Sequence, residues 1–178
     1  VWPLPQTGQM WLEHVLLDNP DFEGCFTVST SYRNEENPVP GRHMRIFPMF
    51  EFESKGNMDD LIKLEKELLQ HIGFEKSVFS DGNIVGNTKD YPVGENLLDK
   101  LDLDYSTDNV VDYPEGDYRD MMVKYNTDEL DHDHEMQLKT DYGPVFFLKN
   151  FPYHTSPFWN MKKEGDTAAK VDVILHGV

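Results

Sequence analysis

Apolar and polar residues recur along the chain with the two periods that distinguish helices from strands. Residues 57–72 have the clearest helical spacing, with Asn57 suited to cap the first turn and Gly73 suited to end the helix. One face of this helix carries four apolar side chains: Leu61, Leu64, Leu68 and Ile72. A second helical pattern covers residues 7–18. The sequence therefore predicts two amphipathic helices in the first 72 residues.

Two segments between these helices have the composition of strands. Residues 25–32 and 45–53 are rich in β-branched and aromatic residues, and the Pro/Gly-containing segment 34–41 separates them. Side chains alternate between the two faces of a strand, so Phe47, Met49 and Glu51 share one face. Pro48, Phe50 and Phe52 then share the other face. The sequence predicts a hairpin with a long loop.

The second half of the chain contains further strand patterns and one more helix. The helix is expected to begin at Thr127 or Asp128. The strand candidates are residues 144–152, 156–163 and 169–178. Strands that follow one another with few helices between them are typical of an α+β domain with a mostly antiparallel sheet flanked by helices.

Composition narrows the classes of function. The chain has 178 residues and a formal net charge of −17, and this charge disfavours a broad surface for tRNA or other nucleic acids. Its only cysteine, Cys25, excludes an intrachain disulfide and is typical of a reducing compartment. No apolar run approaches the roughly 20 residues of a membrane span. We expect a cytoplasmic protein without a membrane partner, with residues 97–120 as a possible acidic insertion.

The loop of the predicted hairpin concentrates positive charge in this acidic chain. Arg33 ends one strand and can bind a phosphate or carboxylate with two parallel hydrogen bonds, and Glu35 shares its face. Arg42 and His43 follow across the loop, and Phe47 offers a ring on which a purine can stack. This set suits a bent nucleoside triphosphate. The alternative is that the arginines pair with the surplus surface carboxylates, and spacing alone supports both interpretations equally.

The segments "YRNE" and "RHMRIFPMFEFE" resemble motif 2 of the class II aminoacyl-tRNA synthetases, closest to the aspartyl/asparaginyl branch. The matching residues are Tyr32, Arg33, Glu35, Arg42, His43, Phe47, Glu51 and Glu53. The segment "TGQMWLE" resembles the asparaginyl branch, with Leu12 where aspartyl enzymes carry a lysine. The segment "KVDVILHGV" resembles the strand that leads to motif 3, with Asp172 at the position of a magnesium-binding acid.

The resemblance implies a class II synthetase-like catalytic core that binds ATP. Arg33 is then the catalytic residue, holding the α-phosphate of ATP and the carboxylate of the substrate. Glu35 is expected to bind the adenine end of ATP or, in a synthetase, the acceptor end of tRNA. Arg42 and His43 would hold the β- and γ-phosphates, and Phe47 would stack on adenine.

The resemblance also implies the other substrate and the reaction. Gln9 would bind the amino acid and Asp172 would help to hold Mg²⁺. The expected reaction joins the carboxylate of aspartate or asparagine to the α-phosphorus of ATP, giving an aminoacyl-adenylate and pyrophosphate. Leu12 favours asparagine, whereas the charge of the chain favours a relative that needs no tRNA and makes free asparagine from aspartate and ammonia. The choice of amino acid and of acceptor stays open.

Two family segments do not occur within residues 1–178: motif 1, which usually forms the dimer interface, and the arginine-bearing motif 3. We therefore expect one catalytic-core-like domain that is incomplete at both ends, and a homodimer by family resemblance. The alternative function is a catalytically silent module that binds a nucleotide, an amino acid or a partner protein as a regulator.

Overall fold

A computed structural model describes residues 4, 6–34, 36, 38, 44–72, 74, 78–80, 83–85, 113–158 and 160–177. The chain divides into two compact units. The first, Val1–Asn57, is called here the hairpin unit, and the second, Met58–Val178, is called the sheet unit. The earlier expectation of one domain stays a prediction. Each unit is described on its own below.

The hairpin unit consists of one helix and two antiparallel strands. Helix α1 (Gln9–Asp18) precedes β1 (Gly24–Tyr32) and β2 (Ile46–Ser54). The strands pair from Gly24 opposite Ser54 to Tyr32 opposite Ile46, without a bulge. The predicted hairpin is confirmed, and the predicted helix begins at Gln9, two residues later than expected.

The two faces of the hairpin differ as the alternation predicted. Phe47, Met49 and Glu51 are half-buried, whereas Pro48 and Phe50 are exposed. Helix α1 and the residues before it contact the half-buried face. The Ser31 hydroxyl donates to the Gln6 carbonyl at 2.5 Å, and the Cys25 thiol donates to the Leu12 carbonyl at 3.5 Å.

The sheet unit contains three α-helices and six strands among its described residues. They are α2 (Met58–His71), β3 (Val78–Ser80), β4 (Asn83–Val85), β5 (Glu115–Asp117), α3 (Tyr118–Tyr125), α4 (His132–Tyr142), β6 (Val145–Pro152), β7 (Lys163–Glu164) and β8 (Thr167–Leu175).

Four of these strands form one sheet with the order β5-β6-β8-β7. Strand β5 runs parallel to β6, and the other two pairings are antiparallel, so the prediction of a mostly antiparallel α+β fold is confirmed. A separate two-stranded hairpin joins β3 to β4.

Strand β6 supplies apolar side chains to both faces of this sheet. Successive residues of a strand point to opposite faces, so Phe146 and Leu148 join one apolar cluster and Val145 and Phe147 join another. Helices α3 and α4 complete the first cluster with Tyr118, Met121 and Leu138. Helix α2 completes the second cluster with Ile62 and Leu69. The apolar face predicted for this helix is therefore not the face that packs, because Leu64, Leu68 and Ile72 are exposed. A strand that is apolar at nearly every position is thus explained by helices on both faces.

Helix α4 does not begin where the sequence suggested. It begins at His132, because the Asp131 carboxylate accepts from the amides of Asp133 and His134 while the His134 ring accepts from the Asp131 amide. Thr127, which was predicted as a start, instead closes a local turn by donating to the Glu129 carbonyl at 2.7 Å. A reciprocal cap is stronger than a lone capping side chain, so it sets the boundary.

Three further sequence predictions need correction. The strand predicted over 156–163 reduces to Lys163 at the start of β7, since a 3-10 turn at Tyr153–Thr155 and left-handed Ser156 (φ 55°) break the extended path. Helix α3 was not predicted. Residues 113–120 of the expected acidic insertion form β5 and the start of α3, and two of them, Tyr113 and Tyr118, are buried in the core. The remaining part of that prediction, 97–112, lies outside the described residues.

In the part of the chain that the structure describes, no helix combines the length and the apolar character needed to cross a bilayer.

Candidate functional site

The end of the hairpin places a guanidinium group against an aromatic ring. Arg33 directly follows β1, and its backbone amide donates to the Arg45 carbonyl at 2.9 Å, which extends the strand pairing by one residue. Its guanidinium carbon lies 5.2 Å from the centroid of the Phe47 ring. This distance is within the range of a cation–π contact. The predicted neighbours Arg33 and Phe47 therefore do lie together, with Arg33 exposed to incoming ligands.

A second arginine lies across the hairpin from the first. Arg45 directly precedes β2 and pairs with Arg33, and the two-residue period puts its side chain on the same face as Phe47. Two guanidinium groups on one face can both donate to an anion, because each carries several N–H donors and a positive charge. This part of the hairpin unit is thus suited to a phosphate or a carboxylate.

Glu51 ties the start of helix α1 to the same face of the hairpin. Its carboxylate accepts from the Thr7 hydroxyl, from the Gly8 amide at 2.7 Å and from the Ser29 hydroxyl at 3.5 Å. A carboxylate at a helix N-terminus also interacts favourably with the helix dipole. A Cβ atom on Gly8 would lie 3.1 Å from both Glu51 and Thr27, so this close approach favours glycine.

Gln9 begins helix α1 immediately after this anchor. Its backbone amide donates to the Thr7 hydroxyl at 3.1 Å, and Gln9 is exposed. Beside it, a shallow cavity of about 350 Å³ lies between α1 and β1, a volume at the lower end for small-molecule sites. The lining residues are Thr7, Gly8, Trp11, Leu12, Val15, Thr27 and Ser29, none of which is charged. Gln9, the predicted amino-acid-binding residue, is not one of these lining residues, but it directly follows Gly8, which is. Three of the lining residues, Thr7, Gly8 and Ser29, donate to the Glu51 carboxylate.

The predicted site residues Glu35, Arg42 and His43 lie outside the described residues. Their assignment to the adenine end and to the β- and γ-phosphates stays a prediction from the sequence.

Asp172, the predicted magnesium ligand, lies in strand β8 of the sheet unit, opposite Leu148. Its side chain is 41% exposed, and its Oδ2 atom accepts from the Lys170 ammonium at 2.6 Å. A carboxylate oxygen is the kind of ligand that Mg²⁺ prefers, and Mg²⁺ commonly needs only one or two carboxylates beside substrate phosphates. The carboxylate of Asp172 is therefore a suitable ligand for Mg²⁺. No cluster of three metal-ligating side chains occurs among the residues that the structure describes.

Glu65 on helix α2 is a second unusual carboxyl group in the sheet unit. Its Oε2 atom is buried and has no hydrogen-bond partner within the described ranges. Burial, and next the negative charge of Asp172, raise the pKa of Glu65 from 4.5 to about 7. Glu65 with a pKa of about 7 is therefore about half protonated at neutral pH, and its protonation is coupled to the charge on Asp172.

The structure adds Arg45 and Lys170 to the predicted set and gives hydrogen-bond partners to Glu51, which the sequence had already placed on the face of Phe47. Arg45 could have been found from the same strand alternation, because it shares that face. Lys170 could have been found in part, since residues two apart in a strand share a face and Asp172 follows at that spacing.

Comparisons with known proteins cover nearly the whole chain. An asparaginyl-tRNA synthetase from Entamoeba histolytica, solved in complex with asparaginyl-adenylate, has the same fold. Its TM-score is 0.61 at 16% identity over 97% of this chain and 38% of that one. An aspartate–tRNA(Asp) ligase from Pyrobaculum aerophilum is 23% identical over 98% of this chain. The chain thus spans 38% of the length of each of these relatives.

The model of one protein family matches nearly the whole sequence. The model of the tRNA synthetases class II (D, K and N) matches residues 2–178, which include both units. The predicted family resemblance is confirmed: the chain belongs to the class II tRNA synthetases of the D, K and N group.

Proposed function

We propose that this protein activates aspartate or asparagine with ATP, forming an aminoacyl-adenylate and pyrophosphate. The observation that carries the proposal is the contact of Arg33 with the Phe47 ring at the end of the hairpin, with Arg45 on the opposite strand. Two cations and an aromatic ring on one face offer complementary contacts to a nucleotide. Membership in the D, K and N group supports the same reaction class.

The chemistry requires positioning and neutralisation of charge rather than a protein nucleophile. A carboxylate oxygen of the amino acid attacks the α-phosphorus of ATP, a bond from that oxygen to phosphorus forms, and the bond to pyrophosphate breaks with its electron pair leaving on pyrophosphate. Arg33 binds the α-phosphate and the attacking carboxylate, so that it draws two anions together. Phe47 stacks on adenine, and Gln9 donates a hydrogen bond to the amino acid.

The remaining family positions complete the proposal. Glu35 is assigned to the adenine end or the acceptor end of tRNA, and Arg42 and His43 are assigned to the β- and γ-phosphates. Asp172 would hold Mg²⁺, which when bound neutralises negative charge on the phosphates.

The uncharged cavity beside Gln9 favours a neutral amide over a carboxylate as the substrate side chain. Leu12 lines this cavity and is buried, so the position offers no cation to an aspartate side chain. Asparagine is therefore the preferred substrate of the two.

The test is amino-acid-dependent exchange of pyrophosphate into ATP by the full-length protein. Exchange with asparagine or aspartate is expected, and Arg33→Ala should lower it by about 10²–10³-fold, the usual effect of removing one preorganised donor. Arg33→Lys keeps the charge but loses the planar fork, so its exchange should fall between the two. Arg119→Ala removes an exposed arginine that pairs with Asp166 in the sheet unit, and it should leave exchange within about twofold.

The outcomes separate the two classes of function. Normal exchange in Arg33→Ala would refute the assignment of the catalytic residue. If the wild-type protein shows no exchange with either amino acid yet binds ATP, the silent regulatory module becomes the better description. In an active protein, incubation with ATP, aspartate and ammonia without tRNA then shows whether free asparagine is a product.

A further inference from the structure

Lys170 and Asp172 form an ion pair on one face of strand β8. The Lys170 ammonium lies 2.6 Å from Asp172 Oδ2, which is the length of a charge-assisted hydrogen bond. Both side chains are partly shielded, Lys170 to 26% exposure and Asp172 to 41%. A positive charge thus already lies beside the carboxylate to which the proposed function assigns Mg²⁺.

The position of Lys170 is supported from a second side by aromatic rings. Its ammonium lies 3.8 Å from the centroid of the Phe151 ring. Phe151 in turn packs against Tyr118 with 4.8 Å between ring centroids, and the Tyr118 hydroxyl accepts from the Leu130 amide at 2.9 Å. Because a carboxylate and a packed ring both hold the ammonium, it is preorganised beside Asp172.

A lysine ammonium 2.6 Å from one oxygen of a carboxylate repels a divalent cation that approaches either oxygen of that group, because the two positive charges are then only a few ångströms apart. We propose that the Lys170 ammonium competes with a divalent cation for Asp172, so that tight binding of the ion requires displacement of the ammonium. This inference rests on the proposed function for the identity of the metal ligand, and it makes Lys170 a positioning residue that sets metal affinity. The ion pair leaves Asp172 neutralised until a metal competes successfully.

The direct test is binding of Mn²⁺, a paramagnetic substitute for Mg²⁺, to the full-length protein without ATP or amino acid. Free Mn²⁺ is measured by electron paramagnetic resonance in wild type, Lys170→Met, Asp172→Asn and the double variant. Lys170→Met keeps an apolar side chain over Phe151, and should tighten Mn²⁺ binding roughly three- to fivefold, the upper part of the range of a partly exposed ion pair. Mn²⁺ binding that remains in the Asp172→Asn variant is binding to the many other carboxylates of this acidic chain.

A matched control comes from the neighbouring strand. Lys163 in β7 lies 4.8 Å from the centroid of the Tyr153 ring, so Lys163→Met removes the same charge and a similar ring contact on the same sheet. The Mn²⁺ affinity of Lys163→Met should stay within about twofold of wild type. Lys163 pairs with Ala168, four residues before Asp172 in β8, so salt screens the effect of its charge on Asp172. Lys170→Arg, which keeps a cation in place, should also stay near wild type.

The results decide the inference independently of enzymatic activity. A gain in Lys170→Met that disappears in the double variant with Asp172→Asn supports displacement. The inference is overturned by unchanged or weaker Mn²⁺ binding in Lys170→Met, by a gain that survives Asp172→Asn, or by an equal gain in Lys163→Met. If Lys170→Met fails to fold, Lys170→Gln serves in its place with the same expected direction. Failure of the proposed function would appear in pyrophosphate exchange, which this experiment does not use.

Discussion

The hairpin unit and the sheet unit of this chain are held together by different interactions. Among the described residues of the hairpin unit, only Leu12 and Ser31 are buried. Its helix and the residues before it are joined to the strands by hydrogen bonds, several of them to Glu51. The sheet unit has two apolar clusters, one on each face of the sheet. Its polar groups of interest are Asp172, opposite Leu148 in the sheet, and Glu65 on helix α2.

The difference indicates where a substitution should change binding and where it should change folding. Hydrogen bonds are directional, so they fix a ligand-binding geometry with little apolar surface. Apolar burial is nearly non-directional and scales with area, so it stabilises a framework. Substitutions in the hairpin unit should therefore alter substrate binding most, and substitutions in the sheet unit should alter the free energy of unfolding most.

The largest effect on stability is expected at Leu138 in helix α4. This side chain is fully buried against Phe146 and Met121, and Leu138→Ala leaves a cavity in the first apolar cluster. The free energy of unfolding should fall by about 2–5 kcal/mol. Urea denaturation followed by circular dichroism measures this change.

The control for Leu138→Ala lies on helix α3. Val123 is 82% exposed, and Val123→Ala should change the free energy of unfolding by no more than about 0.5 kcal/mol. Equal losses in the two variants would contradict the description of the sheet unit as a framework held by its core.

A smaller effect is expected at Glu51, and it should appear in binding. Glu51→Gln removes the negative charge and one of the two acceptor oxygens that hold Thr7 and Gly8. The start of helix α1, and with it Gln9, then loses its fixed position. We expect the KM for the amino acid in pyrophosphate exchange to rise about tenfold, equivalent to a lost hydrogen bond to a charged group. The KM for ATP should change less than about threefold.

Glu23→Gln is the control for this variant. Glu23 lies just before β1 in the same unit, and its exposed side chain lies 3.8 Å from Lys55. It should leave both KM values near those of wild type. A rise in the KM for ATP as large as that for the amino acid would show that Glu51 supports the hairpin as a whole rather than the segment around Gln9.

The elements that could be predicted from the sequence are those with a regular period and clear ends. Strands β1 and β2 alternate along most of their length, although Phe52 is half-buried, unlike Pro48 and Phe50 on the same face. Helix α2 was predicted from an apolar stripe, a capping residue and a terminal glycine, and its existence is confirmed although its buried residues are Ile62 and Leu69. Helix α3 has a suitable pattern, with Tyr118, Met121, Met122 and Tyr125 contacting the core, but it spans only eight residues after a segment rich in turn formers. So short a pattern does not stand out from its surroundings.

The candidate site residues also divide into those whose placement follows from the sequence and those whose placement does not. The shared face of Phe47 and Glu51 follows from alternation alone, and the structure confirms it. The contact between Lys170 and Phe151 does not follow, because a bulge shifts the register of β6 against β8 between Lys149 and Phe151. Asn150 takes φ 58° there and donates to Asp117 at 2.8 Å. Which residue of β8 faces Phe151 therefore depends on a tertiary contact that no local period reveals.

The smallest expected effect concerns Glu65 and depends on pH. The unfolded chain ionises this carboxyl above about pH 4.5, whereas burial raises its pKa in the folded protein to about 7. The folded state binds the proton more tightly, so its stability falls as pH rises from about 4.5 to about 7 and then stays lower. Glu65→Gln removes this loss. We expect the variant to be more stable than wild type by roughly 1 kcal/mol at pH 8, a value reduced for partial solvent screening.

The variant should lose most of this advantage as pH approaches 4.5, because Glu65 is then protonated in the folded state and only about half ionised in the unfolded state. Urea denaturation at pH 4.5, 6 and 8 measures the change, and the difference between variant and wild type cancels the titration of the other carboxyl groups. Glu67→Gln removes an exposed carboxylate two residues away, 3.9 Å from Lys63, and so controls for the loss of one negative charge from α2. A pH-independent difference for Glu65→Gln would mean that Glu65 has the same pKa in the folded and unfolded states, which would contradict the expected effect of its burial.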